Sequence, residues 1–134
     1  MSIIVYSDGS HTKGTKLQPP TQTKGSVVIY KNGHCIDKAT RLYKAGWSDT
    51  AEYVGILLGL ERLIALNLQH ESINWRNDSQ FVMRNLRYRK TGKPNRDYYV
   101  LSCKCINLLT QFTNISFHWI PREANMEADA LSKI

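Results

Sequence analysis

The feature that most restricts the fold of this chain is a change of hydrophobic period near residue 50. Before it, apolar residues come in short β-branched runs; after it, they recur every three or four positions. Residues 3–8, Ile3-Ile4-Val5-Tyr6-Ser7-Asp8, read as a buried strand that ends in a turn at Gly9-Ser10. Ser26 to Lys31 is a second strand, Asn32-Gly33 a hairpin turn, and His34 to Tyr43 a third strand. Tyr53, Ile56, Leu57, Leu60, Leu63 and Ile64 then lie at helical spacing, so residues 50–67 form an amphipathic helix. Gly55 and Gly59, four apart on that helix, suit close packing against a neighbouring element.

The rest of the chain alternates. Ser72 to Asn77 is a fourth strand, followed by a helix from about Ser79 to Tyr88. A breaker, Thr91-Gly92-Lys93-Pro94-Asn95, separates off a further helix carrying Tyr98, Leu101, Cys105, Leu108 and Phe112 at helical spacing. Ile115 to Ile120 is a fifth strand, and a short helix closes the chain at about Glu123 to Lys133. The order βββαβααβα implies an α/β fold, a five-stranded mixed sheet with strands 1–3 antiparallel, flanked by helices. At 134 residues it is expected to be one domain, 1–134. Residues 9–24, with Pro19-Pro20 and lysines at 13, 16 and 24, read as a polar loop whose length marks it as functional or mobile. Trp75 and Trp119 fall in predicted central strands and are expected in the core. Trp47, before the first helix, is open to packing or to base stacking.

Composition narrows the partner. The net charge is +7 with 42% hydrophobic and 22% charged residues, which favours a polyanion. No apolar run approaches the ~18 residues of a membrane span. The N-terminus starts directly with an apolar strand rather than a secretory signal, and Met1 suits a free-standing protein. Cys35, Cys103 and Cys105 lack metal-site spacing and read as reduced thiols in a cytoplasmic compartment. A monomer is expected.

Against this basic background four acids stand at the ends of predicted elements: Asp8, Glu52, Asp78 and Asp129. Carboxylates gathered at one end of a sheet repel each other unless a cation holds them, and hard oxygen ligands suit Mg²⁺ or Mn²⁺. Taken singly, Glu52 and Asp129 also fit helix-start acids that complement the dipole, and Asp49 reads as an N-cap for a helix beginning at Thr50. Arg84, Arg87, Arg89, Lys90, Lys93 and Arg96 place six positive charges within thirteen residues, a patch for phosphates or a solvated helix face. His118, between Phe117 and Trp119, reads as a satisfied sheet histidine, and Arg122 as a candidate for touching phosphate.

With order and motifs together, the chain resembles type 1 ribonuclease H over nearly its whole length. The resemblance rests on Tyr6-Ser7-Asp8-Gly9-Ser10, Ala51-Glu52-Tyr53, Asp78-Ser79-Gln80 and Asn125-Met126-Glu127-Ala128-Asp129-Ala130-Leu131. It implies that Asp8, Glu52, Asp78 and Asp129 hold two divalent ions, with Asp8 bridging, and that the substrate is an RNA–DNA hybrid. The RNA strand would be cut to leave 3′-hydroxyl and 5′-phosphate ends. It also implies minor-groove contacts from Gln80 and Asn125 near 2′-hydroxyls, with Ser10 beside them on the nucleic acid.

The chain departs from the family pattern in four places. The glycine-rich loop after the first Asp-Gly-Ser is replaced by residues 11–24, and the Asn-rich stretch before Glu52 by Ser48-Asp49-Thr50. Ile120-Pro121-Arg122-Glu123-Ala124 stands in place of a histidine loop, and the basic protrusion is reduced to residues 87–96. This is similar to the compact branch of the family found in archaeal, bacterial and reverse-transcriptase-like domains. Three other readings compete: a hybrid- or double-stranded-RNA-binding module of the same fold, an aspartyl-nucleophile phosphatase, and a tethered domain of a larger polymerase. The phosphatase wants a second acid where Ser10 stands.

Overall fold

A computed structural model of the protein describes residues 2–13, 17 and 20–134. Five strands form one sheet: β1 (Ser2–His11), β2 (Thr23–Lys31), β3 (His34–Tyr43), β4 (Ser72–Asn77) and β5 (Asn114–Trp119), in the order β3-β2-β1-β4-β5. β1–β2 and β2–β3 pair antiparallel, whereas β1–β4 and β4–β5 pair parallel. The helices are α1 (Ser48–Ala65), α2 (Gln80–Arg87), α3 (Tyr99–Leu109) and α4 (Met126–Ser132). The mixed sheet and element order are those read from the sequence.

Alternation decides which face is buried. Ile3 and Val5 of β1, Val27 and Ile29 of β2, Ile73 and Trp75 of β4 and Phe117 of β5 share a core with Tyr53, Ile56, Leu60 and Leu63 of α1, Val82 and Leu86 of α2, and Leu101 and Cys105 of α3. α4 packs against the opposite face of β1 and β2, where Ser26 Oγ donates to Ala128 O at 2.6 Å and Ser10 Oγ to Ser132 O at 2.6 Å.

Several boundaries differ from the sequence reading. The hairpin ladder continues through Gly9↔Gly25, Ser10↔Lys24 and His11↔Thr23, so residues 9–11 and 23–24 of the expected 9–24 loop are strand, while Lys16 and Pro19 lie outside the described residues. Main-chain hydrogen bonds do not require apolar side chains, which is why polarity misplaced the strand ends. α1 begins at Ser48, so Asp49 sits inside the first turn and is not the N-cap. The Trp47 backbone stands at that position, and its N–H donates to the carboxylate of the distant Asp97 at 3.2 Å. The closing helix is divided: a 3-10 turn spans Arg122–Ala124, and α4 follows Asn125. Trp119, expected in the core, is exposed because it lies at the last residue of β5, where the strand runs out from under its cover.

Candidate active site

The topology brings the acids together where the sheet splits. β1 and β4 pair as far as Tyr6↔Arg76; beyond it β1 continues against β2 alone. Two residues past that last pair stand Asp8 and Asp78. Crevices outside the carboxyl ends of parallel strands, at a point where connectivity reverses, are the usual ligand sites of open α/β sheets. Glu52 arrives from α1, whose backbone crosses very close to the strand. A Cβ on Gly9 would lie 2.3 Å from the Ala51 carbonyl carbon, and one on Gly55 2.7 Å from Asp8 O. Only glycine permits this approach, so Gly9 and Gly55 set the distance between Glu52 and Asp8. Gly59 similarly rests against the Trp75 ring, as the four-residue spacing led one to expect.

Asp8, Glu52 and Asp78 each present a carboxylate oxygen within 4.8 Å of the others. Asp129, in the first turn of α4, is paired with Lys133 Nζ at 3.1 Å and stands outside the group of three, though near enough to Asp8 to affect its titration. Burial pushes the Asp8 carboxyl up to about 7, with the charge of Asp78 and the hydrogen bond to Asp129 adding to it. Burial raises Glu52 well above the ordinary glutamate range, and Asp8 raises it further, although Asn77 opposes. Asp78 is also raised by burial, with Arg122 pulling the other way. Burial works upward on Asp129 too, but hydrogen bonds from Asp8 and Lys133 hold it below normal. Acids with raised pKa values and no nitrogen or sulfur ligand among them form a donor set for a hard divalent cation.

A polar lattice beneath the acids was not foreseen. Asn77 Nδ2 lies 2.9 Å from Glu52 Oε1, 2.9 Å from Ser7 O and 3.0 Å from Ser7 Oγ, while its Oδ1 accepts from Ser79 N at 2.7 Å. Trp75 Nε1 donates to Ser7 Oγ at 2.8 Å. One signal was present: in β4, Ile73, Trp75 and Asn77 share the buried face, and an amide there needs partners.

The remaining candidates divide. Asn125 is 1% exposed and its Nδ2 donates to Ser7 O at 2.9 Å, so its donor braces β1 and is not free for a groove contact. Ser10 has likewise committed its hydroxyl to Ser132. Gln80 and Arg84 are exposed on α2. Arg122 is 80% exposed, and its Nε lies 4.0 Å from Asp78 Oδ2. Arg87 donates to Phe117 O at 2.9 Å; Arg89 bonds Leu86 O and lies over the Phe117 ring. Arg89, Lys90, Lys93 and Arg96 line a cavity of about 900 Å³ with Trp47, Phe81 and Tyr98. Asp49 also lines it, its carboxyl raised by burial and by Asp97 and lowered by Arg96. His118 is an exposed sheet residue bonded to Ser116 Oγ at 2.9 Å. All three cysteines are free. No helix among the described residues is long and apolar enough to cross a membrane.

A mixed sheet split over convergent acids, with one long helix supplying the third carboxylate, defines a ribonuclease H-like domain. The reverse transcriptase-like family profile matches residues 11–134, and the chain belongs to that family. In fold it is similar to RNase H1 from the halophilic archaeon Halobacterium salinarum NRC-1 (TM-score 0.83, 24% identity, covering 99% of this chain and 96% of that one). It is similar also to LC11-RNase H1, solved in complex with an RNA/DNA hybrid (TM-score 0.82, 24% identity, 98% and 94% covered). The bifunctional protein Rv2228c of Mycobacterium tuberculosis is 26% identical over 98% of this chain, which spans 35% of that relative's length.

Proposed function

We propose that the chain is an endoribonuclease that hydrolyses the RNA strand of an RNA–DNA hybrid, leaving 3′-hydroxyl and 5′-phosphate ends. The observation that carries this reading is the convergence of Asp8, Glu52 and Asp78 within 4.8 Å on a chain of net charge +7. Such a cluster repels a polyanion while empty of cations and attracts one when loaded.

Asp8, Glu52 and Asp78, with Asp129 beside them, would hold two Mg²⁺ or Mn²⁺ ions. When bound, two such ions lower the pKa of an attacking water and neutralise charge on the leaving 3′-oxygen. The protein's own work is placement. Asn77 and Gly55 hold Glu52 and Asp8 at short range, so little reorganisation is needed as charge develops. Asn125 anchors β1 below Asp8 through Ser7. Arg122, beside Asp78 and open to solvent, meets a phosphate oxygen. Lys90, Lys93 and Arg96, around the cavity, take phosphates of the second strand and supply affinity independent of sequence. Gln80, two residues beyond Asp78, faces the sugar edge where 2′-hydroxyls distinguish RNA. The chain is proposed to act as one domain, 1–134, and as a monomer in the cytoplasm.

The test is a gel assay of labelled RNA annealed to DNA, with and without Mg²⁺ or Mn²⁺, beside the same RNA single-stranded. Metal-dependent cutting confined to the hybrid is expected. Binding without cutting would make the chain a non-catalytic hybrid-binding module.

A further inference from the structure

The end of β5 breaks the pattern that buries its middle. Phe117 and Trp119 are two apart and face the same side of the strand, yet Phe117 is buried and Trp119 is 46% exposed. Trp119 pairs across the ladder with Asn77, the residue before Asp78. Its indole Nε1–H donates to the Asp78 carbonyl oxygen at 3.2 Å. Three residues on, Arg122 stands 4.0 Å from the Asp78 carboxylate. A large aromatic ring left half in water forfeits hydrophobic stabilisation, and here its single polar atom is spent on fixing the ring beside the acids.

We propose that Trp119 is a substrate-positioning residue whose exposed indole face packs against the base and sugar of the nucleotide next to the phosphodiester addressed by Asp78. This rests on the hybrid-cleaving reading and names a contact within it. In a paired hybrid the base faces are covered by their neighbours, so the ring packs on the sugar and the groove edge of the base, contacts that position a strand without reading its sequence. The hydrogen bond to Asp78 holds the ring in place before substrate arrives, which lowers the ordering cost of binding.

The other two tryptophans are placed for different tasks. Trp75 is fully buried and packs on Phe117 with ring centroids 5.7 Å apart. Trp47 lines the basic cavity and meets His11 edge-on at 6.0 Å. Trp119 is thus the exposed indole tied to the acid cluster itself.

Hybrid binding is read by intrinsic fluorescence with Ca²⁺ in place of Mg²⁺, beside Mn²⁺ titration by calorimetry and circular dichroism for folding. In Trp47→Phe, where Trp75 and Trp119 remain, hybrid should quench the emission; in Trp119→Phe that component should vanish. Trp119→Leu should raise the hybrid Kd on the order of tenfold, whereas Trp119→Phe, which keeps a ring and loses the N–H, should stay within about threefold of wild type. If Phe and Leu variants weaken Mn²⁺ binding equally while hybrid affinity is unchanged, Trp119 only braces Asp78 and the proposal falls. Wild-type protein that fails to bind hybrid would overturn the functional reading and this one together. Tight wild-type binding matched by Trp119→Leu would overturn this one alone.

Discussion

The acid cluster and the basic segment 84–96 are joined by α2, which starts two residues after Asp78, yet they are built in opposite ways. Asp8 and Glu52 are buried, fixed by close glycine packing and an asparagine lattice, and their pKa values are displaced by burial and by each other. Lys90, Lys93 and Arg96 surround an open cavity at the surface. The difference follows from what each must do. Metal coordination fails with small misplacement, so the acids sit where packing over-determines them. Phosphate attraction falls off slowly with distance, so mobile surface cations suffice.

The comparison breaks most readily at the acids. Asp78→Asn should lower turnover by at least ~10²-fold, the scale for losing one electrostatic stabiliser, with circular dichroism unchanged. Activity that survives would remove Asp78 from the site. Gly55→Ala should cost about 1–3 kcal/mol, read from the urea midpoint, because the new Cβ meets Asp8 O at 2.7 Å and Ser26 O at 3.0 Å. A neutral result would mean that α1 can retreat without harm and that its close approach is incidental.

Protons sharpen the contrast. Asp8 titrates at about 7 in the folded protein against an ordinary 3.8, chiefly through burial. The native state therefore keeps a proton that the unfolded chain has released. Between about pH 4 and 7 this group's contribution to stability falls as pH rises. Cation binding displaces that proton, so Mg²⁺ should raise the Tm more at pH 8 than at pH 5. Asp8→Asn should flatten the difference, and a thermal shift independent of pH in the wild type would contradict it.

The smallest effect is expected in the basic segment. Lys90→Gln with Lys93→Gln should leave stability within roughly 0.5 kcal/mol. The same pair should reduce the salt slope of hybrid binding by up to ~2 units, about 0.9 for each phosphate no longer neutralised. Arg87→Gln should act differently, lowering the thermal midpoint because its guanidinium also holds Phe117 O. An unchanged slope in the lysine pair would return that segment to solvated surface.

How far the sequence could be read depended on the kind of interaction. The strand runs and the α1 stripe from Tyr53 to Ile64 announced themselves because burial selects residue type at a fixed period. Asp8, Glu52 and Asp78, which the fold brings within 4.8 Å of one another, stood out because carboxylates beside core runs demand a reason. Asp49 has the sequence of a cap, but the Trp47 N–H goes to the carboxylate of Asp97, fifty residues away. Asn125 looks like a groove donor on its motif alone, but the fold turns its amide inward to Ser7. Trp119 looks like core because alternation cannot tell where a strand outruns its cover.

By itself the sequence determined the order of the elements, the buried face of each, and which acids were to meet, because local periodicity and residue chemistry are properties of short stretches of chain. Tertiary structure alone decided how closely they meet and what holds them. The β1–β4 register, ending at Tyr6↔Arg76, leaves Asp8 and Asp78 each two residues beyond the last pair, and the glycine packing admits Glu52. Such distances arise between residues far apart in the chain, where packing of backbone against backbone leaves no periodic trace.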